Sequence, residues 1–177
     1  MSSFSRVVIA AAAGSALLGL SACTGGAGGT TDGGGESTAP APSALESFDP
    51  CNFYTPEELA AAGVAGPGEP DTDLSSEPGC NFTGDKMDLA LYKSPGTPFD
   101  KYMSEANLGR VEPFDAGGRK AAIGVTAGSE GQGVCSSFLD AAGGTVIVTV
   151  TAGTTEPVEP CGESRRVAEQ ISPRLPQ

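Results

Sequence analysis

Four cysteines, Cys51, Cys80, Cys135 and Cys161, constrain this chain more than any other feature. The sequence contains no His, and no two of these cysteines have the close spacing of a zinc knuckle, so metal binding is a poor use for them. Ahead of them stands a short segment, Met1 to Arg6, with one cation, then the apolar stretch Val7–Leu20 and the small residues Ser21 and Ala22. That stretch is shorter than the about 20 residues a membrane-spanning helix needs and has the layout of an export signal. An exported domain folds where thiols oxidise, and an even number of cysteines there reads as a disulfide framework. Three pairings are possible, of which Cys51–Cys161 with Cys80–Cys135 is favoured. Cys51 and Cys161 each follow a Pro and lead into an expected helix, at opposite ends of the domain, whereas Cys80 and Cys135 both fall in expected strands. Each such bridge closes a long loop, worth about 4 kcal/mol in the chain-entropy description.

A fifth cysteine stands apart. Leu20-Ser21-Ala22-Cys23 resembles the lipobox of bacterial lipoproteins. The resemblance implies that the Cys23 sulfur receives a diacylglyceryl group and that the Ala22–Cys23 bond is then cut. Residues 1–22 are on this reading a lipoprotein signal peptide, and Cys23 tethers the mature chain to the extracytoplasmic face of the cell membrane. One acyl chain anchors marginally and two anchor stably, at about 0.8 kcal/mol per buried methylene. Residues 23–46 comprise the lipidated Cys and a flexible tether, because the run Gly25-Gly26-Ala27-Gly28-Gly29 and its Gly/Thr/Pro continuation cannot bury enough apolar surface to offset chain entropy. A phosphate-binding loop is a poor reading of that run, which lacks Gly-Lys-Ser/Thr. Residues 47–177 are expected to form one domain, small but large enough for its own core.

The formal net charge is −12, and it becomes one unit more negative when Arg6 is lost with the leader. Nucleic acid is thereby excluded as a partner, since neutralising phosphates requires Lys and Arg. Close approach to an anionic lipid surface is disfavoured as well. A solvated acidic surface is the default use of such charge; a cationic ligand or a divalent metal is the alternative.

Along the domain, Thr55-Pro56-Glu57-Glu58-Leu59 marks a helix start, with Thr55 as cap, Pro56 at the first helical position and Glu58 completing a capping box. Gly63 ends that helix, and 66–78 reads as a Pro/Gly/Asp loop. Strands are expected at Cys80–Thr83 and Met87–Lys93. A second helix starts at Thr97-Pro98 and carries Phe99, Tyr102, Met103 and Ala106 on one stripe, which reads as core. Further strands cover Arg110–Phe114, the alternating Ala121, Ile123 and Val125, Val134–Leu139 and Thr145–Thr151, with Val146, Val148 and Val150 on one face of the last. Pro160 opens a final helix that buries Val167, Ala168 and Ile171. The expected fold is α+β: a mainly antiparallel sheet of about five to six strands, bridged by disulfides, with the helices packed on one face.

Taken together, the lipobox Cys23, the low-complexity tether, Asp49-Pro50-Cys51 ahead of Thr55-Pro56-Glu57-Glu58-Leu59, Gly79-Cys80-Asn81-Phe82, Cys135 in a late strand, Pro160-Cys161 and the closing Leu175-Pro176 resemble a family of secreted actinomycete lipoproteins known as domain of unknown function 3558. Phe82 stands where that family commonly has Trp. The resemblance implies an extracytoplasmic lipoprotein and brings no activity or catalytic residues. The expected architecture is also similar to that of photosystem-associated PsbP-like proteins, an analogy of fold alone.

Catalytic residues are not expected. The commonest acid–base side chain is missing, no Gly-x-Ser-x-Gly elbow occurs, and the thiols are used in bridges. Glu57-Glu58 reads as a capping box, and Asp71-Thr72-Asp73 lacks the Gly and distal Glu of a calcium loop and reads as a solvated acidic loop. The expectation is therefore a non-enzymatic, monomeric envelope lipoprotein, without cofactor or metal, that binds a protein, lipid or wall component. A small-ligand-binding or sensor lipoprotein serving a transporter or receptor is the alternative, and a deep pocket between sheet and helices would favour it. A carboxylate-based hydrolase is a third reading, which needs two close carboxyls in a cleft, one of them desolvated.

Overall fold

The computed structural model describes residues 44–155 and 157–177. Cys23, the expected export signal and all but the last residues of the expected tether lie outside them. Seven strands, β1 (Glu69–Asp71), β2 (Gly79–Phe82), β3 (Met87–Ser94), β4 (Leu108–Asp115), β5 (Lys120–Thr126), β6 (Val134–Ala141) and β7 (Gly144–Ala152), accompany three helices, α1 (Pro56–Ala62), α2 (Phe99–Glu105) and α3 (Pro160–Ile171). The strands form one antiparallel sheet in the order β1-β2-β3-β7-β6-β5-β4. Among the described residues no helix is long and apolar enough to cross a membrane.

Strict alternation sets the two faces of this sheet. In register, Leu89 opposes Val150, which opposes Cys135, and Leu91 opposes Val148, which opposes Ser137. These side chains, with Phe82, Met87, Leu139 and Val146, are fully or almost fully buried. Against them lies α3, whose Val167, Ala168 and Ile171 complete the main core. The Ser164 hydroxyl of α3 donates to the Val148 carbonyl at 2.9 Å and lies 2.9 Å from Ser137 Oγ, so the polar atoms at this contact are satisfied. Leu59 of α1 joins the same cluster. This helix has the expected capping box between Thr55 and Glu58, and Gly63 closes it in the left-handed conformation at φ 75°. Leu45 is fully buried in this core, so the folded part reaches into the segment read from sequence as tether.

The α+β class and the antiparallel sheet are as expected, and two details differ. The seventh strand is β1, within the segment read as a loop; it is three residues long with Pro70 at its centre, and a Pro is tolerated there because β1 is an edge. The second difference is that α2 packs on the face opposite α3. Phe99 is buried with Ala122, Phe138 and Ile147, the residues that alternate away from the main core, and Tyr102, Met103 and Leu108 pack around them.

The disulfide pairing is corrected. Cys51 is bonded to Cys80 and Cys135 to Cys161, with Cα atoms 5.0 Å apart in both. The favoured Cys80–Cys135 bridge is impossible in this sheet: β3 and β7 stand between β2 and β6, a separation of about 14 Å at the usual strand spacing, far beyond disulfide reach. Cys135 instead meets the first turn of α3, and Cys80 meets the 3₁₀ turn Pro50–Asn52, which packs on β2.

Candidate functional site

On the α2 face the sheet is only partly covered. A groove of about 420 Å³ opens there between α2 and the β1–β2 loop. Its floor is built from outward positions of the central strands: Tyr92 of β3, Ile147 and Thr149 of β7, and Ser136 and Phe138 of β6. Tyr102 and Ala106 form one wall, and Asp71, Asp73, Leu74 and Glu77 form the other. The volume is within the range of small-molecule sites.

Each side chain is placed by its element. Tyr92 pairs with Gly79 in register, and a Cβ at Gly79 would run into the Tyr92 ring, so the glycine allows the ring to lie across β2 toward β1. The Tyr92 hydroxyl there is 3.1 Å from Asp71 Oδ2 and 3.1 Å from Asn81 Oδ1, either of which can accept its proton. Asp71 also accepts from the Asp73 N–H at 3.1 Å and from Asn81 Nδ2 at 3.2 Å. The Asp73 N–H, with the Asn81 and Tyr92 donors, holds the Asp71 carboxyl below its ordinary range. Burial, reinforced by Asp71, pushes the Tyr92 phenol up to about 12. Tyr102 is likewise raised, first by burial and then by the Glu77 carboxylate. The rings of Tyr102 and Phe138 lie 5.5 Å apart. On the floor, the Ser136 and Thr149 hydroxyls satisfy each other at 2.8 Å. None of the lining residues carries a positive charge.

A larger hollow, about 680 Å³, lies beside Arg119 and Lys120 at the chain's C-terminal end. Its cations are engaged structurally. Arg119 donates to the carbonyls of Asp140, Ser172, Leu175 and Pro176, and Lys120 pairs with Asp100. Arg119 is thus committed to the protein's own carbonyls, and Lys120 lies in an exposed surface pair.

The sequence reading singled out several of these residues and gave them other roles. Asp71 and Asp73, read as a solvated loop, form a wall of the groove, and Tyr102, read as core, shares its opening. Glu58 is used as the expected cap and also pairs with Arg174 at 2.8 Å. Among the described residues no three His, Cys, Asp or Glu side chains gather as a metal site. Sequence reasoning missed Tyr92, Ser136, Phe138 and Thr149 as groove residues. The available signal was the period-two alternation that sends them to the face opposite the valines of β7.

Comparison with curated proteins gives no match. Comparison with solved structures gives none either, so the likeness to PsbP-like proteins receives no support. A family match spans most of the sequence, including all three helices and all seven strands. With residues 18–174 matching the family described as "Protein of unknown function (DUF3558)", the chain belongs to that family.

Proposed function

We propose that this protein is a lipid-anchored, extracytoplasmic binding protein without enzymatic activity, and that the groove between α2 and the β1–β2 loop is its ligand site. The single observation that carries this reading is the asymmetry of the sheet. One face is filled by α3, α1 and Leu45, whereas the other leaves aromatic and hydroxyl side chains around an open groove. The two disulfides support folding in an oxidising compartment, and Leu20-Ser21-Ala22-Cys23 supports the anchor. A hydrolase is disfavoured because none of the groove carboxyls, Asp71, Asp73 and Glu77, is buried, whereas a carboxyl general acid needs desolvation.

Native mass spectrometry of the protein purified from the cells that make it tests the site. A small molecule should co-purify with the wild type and be lost from Ala106→Trp, which fills the groove mouth. If both forms are ligand-free, or both keep the same ligand, the groove is not the binding site.

A further inference from the structure

Resting on the groove as a ligand site, we propose that its ligand is an organic cation: an ammonium head held at the carboxylate wall, joined to an apolar body that lies on the aromatic floor. Three features converge on this chemistry. The β1–β2 wall carries Asp71, Asp73 and Glu77 with no opposing cation in the lining, so an anionic ligand is repelled and a neutral one gains nothing from the wall. Asp71 is preorganised by three donors, which fixes its charge at one position before any ligand arrives. Beside the carboxylates, in the same groove, lie the rings of Tyr92, Tyr102 and Phe138, and aromatic faces attract a cation.

The apolar body follows from the floor and the mouth. Ile147 and Phe138 supply apolar surface below, and Leu74 stands at the rim with 62% of its surface exposed. A large aliphatic side chain left in water beside a groove gains from being covered. Hydroxyls on the floor add little competing polarity, since Ser136 and Thr149 are already bonded to each other. A bare metal ion would leave this apolar surface unused, whereas an alkyl or aryl ammonium uses both halves of the groove.

Titration of the full chain with three matched probes, followed by NMR or calorimetry, decides the matter. The probes are benzyltrimethylammonium, its neutral carbon isostere neopentylbenzene, and anionic benzenesulfonate. The ammonium should bind at least tenfold more tightly than either of the others, and more weakly as salt is raised. The double variant Asp71→Asn/Glu77→Gln should lose at least tenfold affinity for the ammonium while leaving the neutral probe unchanged. Leu74→Ser, at an exposed position that leaves folding intact, should weaken the ammonium and neutral probes alike. Equal binding of cation and neutral isostere in the groove would overturn the cation preference and leave the groove as a ligand site. If none of the probes perturbs groove residues while the natural ligand still co-purifies through them, the ligand is of another class and the proposal fails.

Discussion

Every tyrosine in this chain is a phenol kept from ionising. The sequence has three, and each is raised: Tyr54 and Tyr102 by burial and then by Glu58 and Glu77, and Tyr92 by burial and then Asp71. The Tyr54 hydroxyl is buried without a protein partner among the described residues, its ring edge-on to Phe53 and Phe82. A folded-state value above the unfolded one, near 10, means that the neutral phenol is the stabilised form. That stability is fully present below pH 10 and is lost as pH rises from there toward 12 and beyond. Spectrophotometric titration should therefore show almost no tyrosinate at pH 10 in the folded protein, against about half ionisation in urea. Substantial phenolate at pH 10 without loss of fold would show that the three rings are more solvated than described. The sign at Asp71 is opposite: its folded value is depressed, so its contribution is present above the ordinary carboxylate range and is lost as pH falls through the folded value.

Each disulfide ties an irregular or helical piece to a strand. Cys51–Cys80 closes a separation of 29 residues and Cys135–Cys161 one of 26, each worth about 3.5 kcal/mol in the chain-entropy description. Replacing Cys135 and Cys161 together by Ser should lower the urea-unfolding free energy by about 2–4 kcal/mol. The first turn of α3 should fray, because the helix is otherwise pinned through Ser164 and its later residues Val167, Ala168 and Ile171. A loss below about 1 kcal/mol would mean that packing alone holds α3 on β6. This is the level at which the sequence was most legible. The capping box of α1 and the alternation of β7 are local signals, and they appear as read. The cysteine pairing was not local: similar surroundings for Cys80 and Cys135 said nothing about the two strands inserted between them. The side taken by α2 was equally hidden, because its stripe shows that one face is buried and is silent on which face of the sheet receives it. The groove follows from that side, so it could not be read before the topology was known.

At the scale of the molecule, charge is unbalanced. The chain carries a net −12, and ion pairs such as Arg110–Glu112 and Lys120–Asp100 join exposed side chains that add little stability. Self-repulsion should then outweigh these pairs at low ionic strength. Raising salt from about 10 mM to 150 mM, which shortens the screening length from about 30 Å to 8 Å, should raise the thermal midpoint by a few degrees. A fall would show that the surface pairs dominate.

The sheet's strand order sets when it can close. Its middle is the union of β3, Met87–Ser94, with β7, Gly144–Ala152, so the first half of the domain has no finished partner until most of the polypeptide has been delivered. Arg119 then fastens the last residues through the carbonyls of Leu175 and Pro176. A chain of this strand order, delivered from its N-terminal side, can join its two halves only once β7 has emerged.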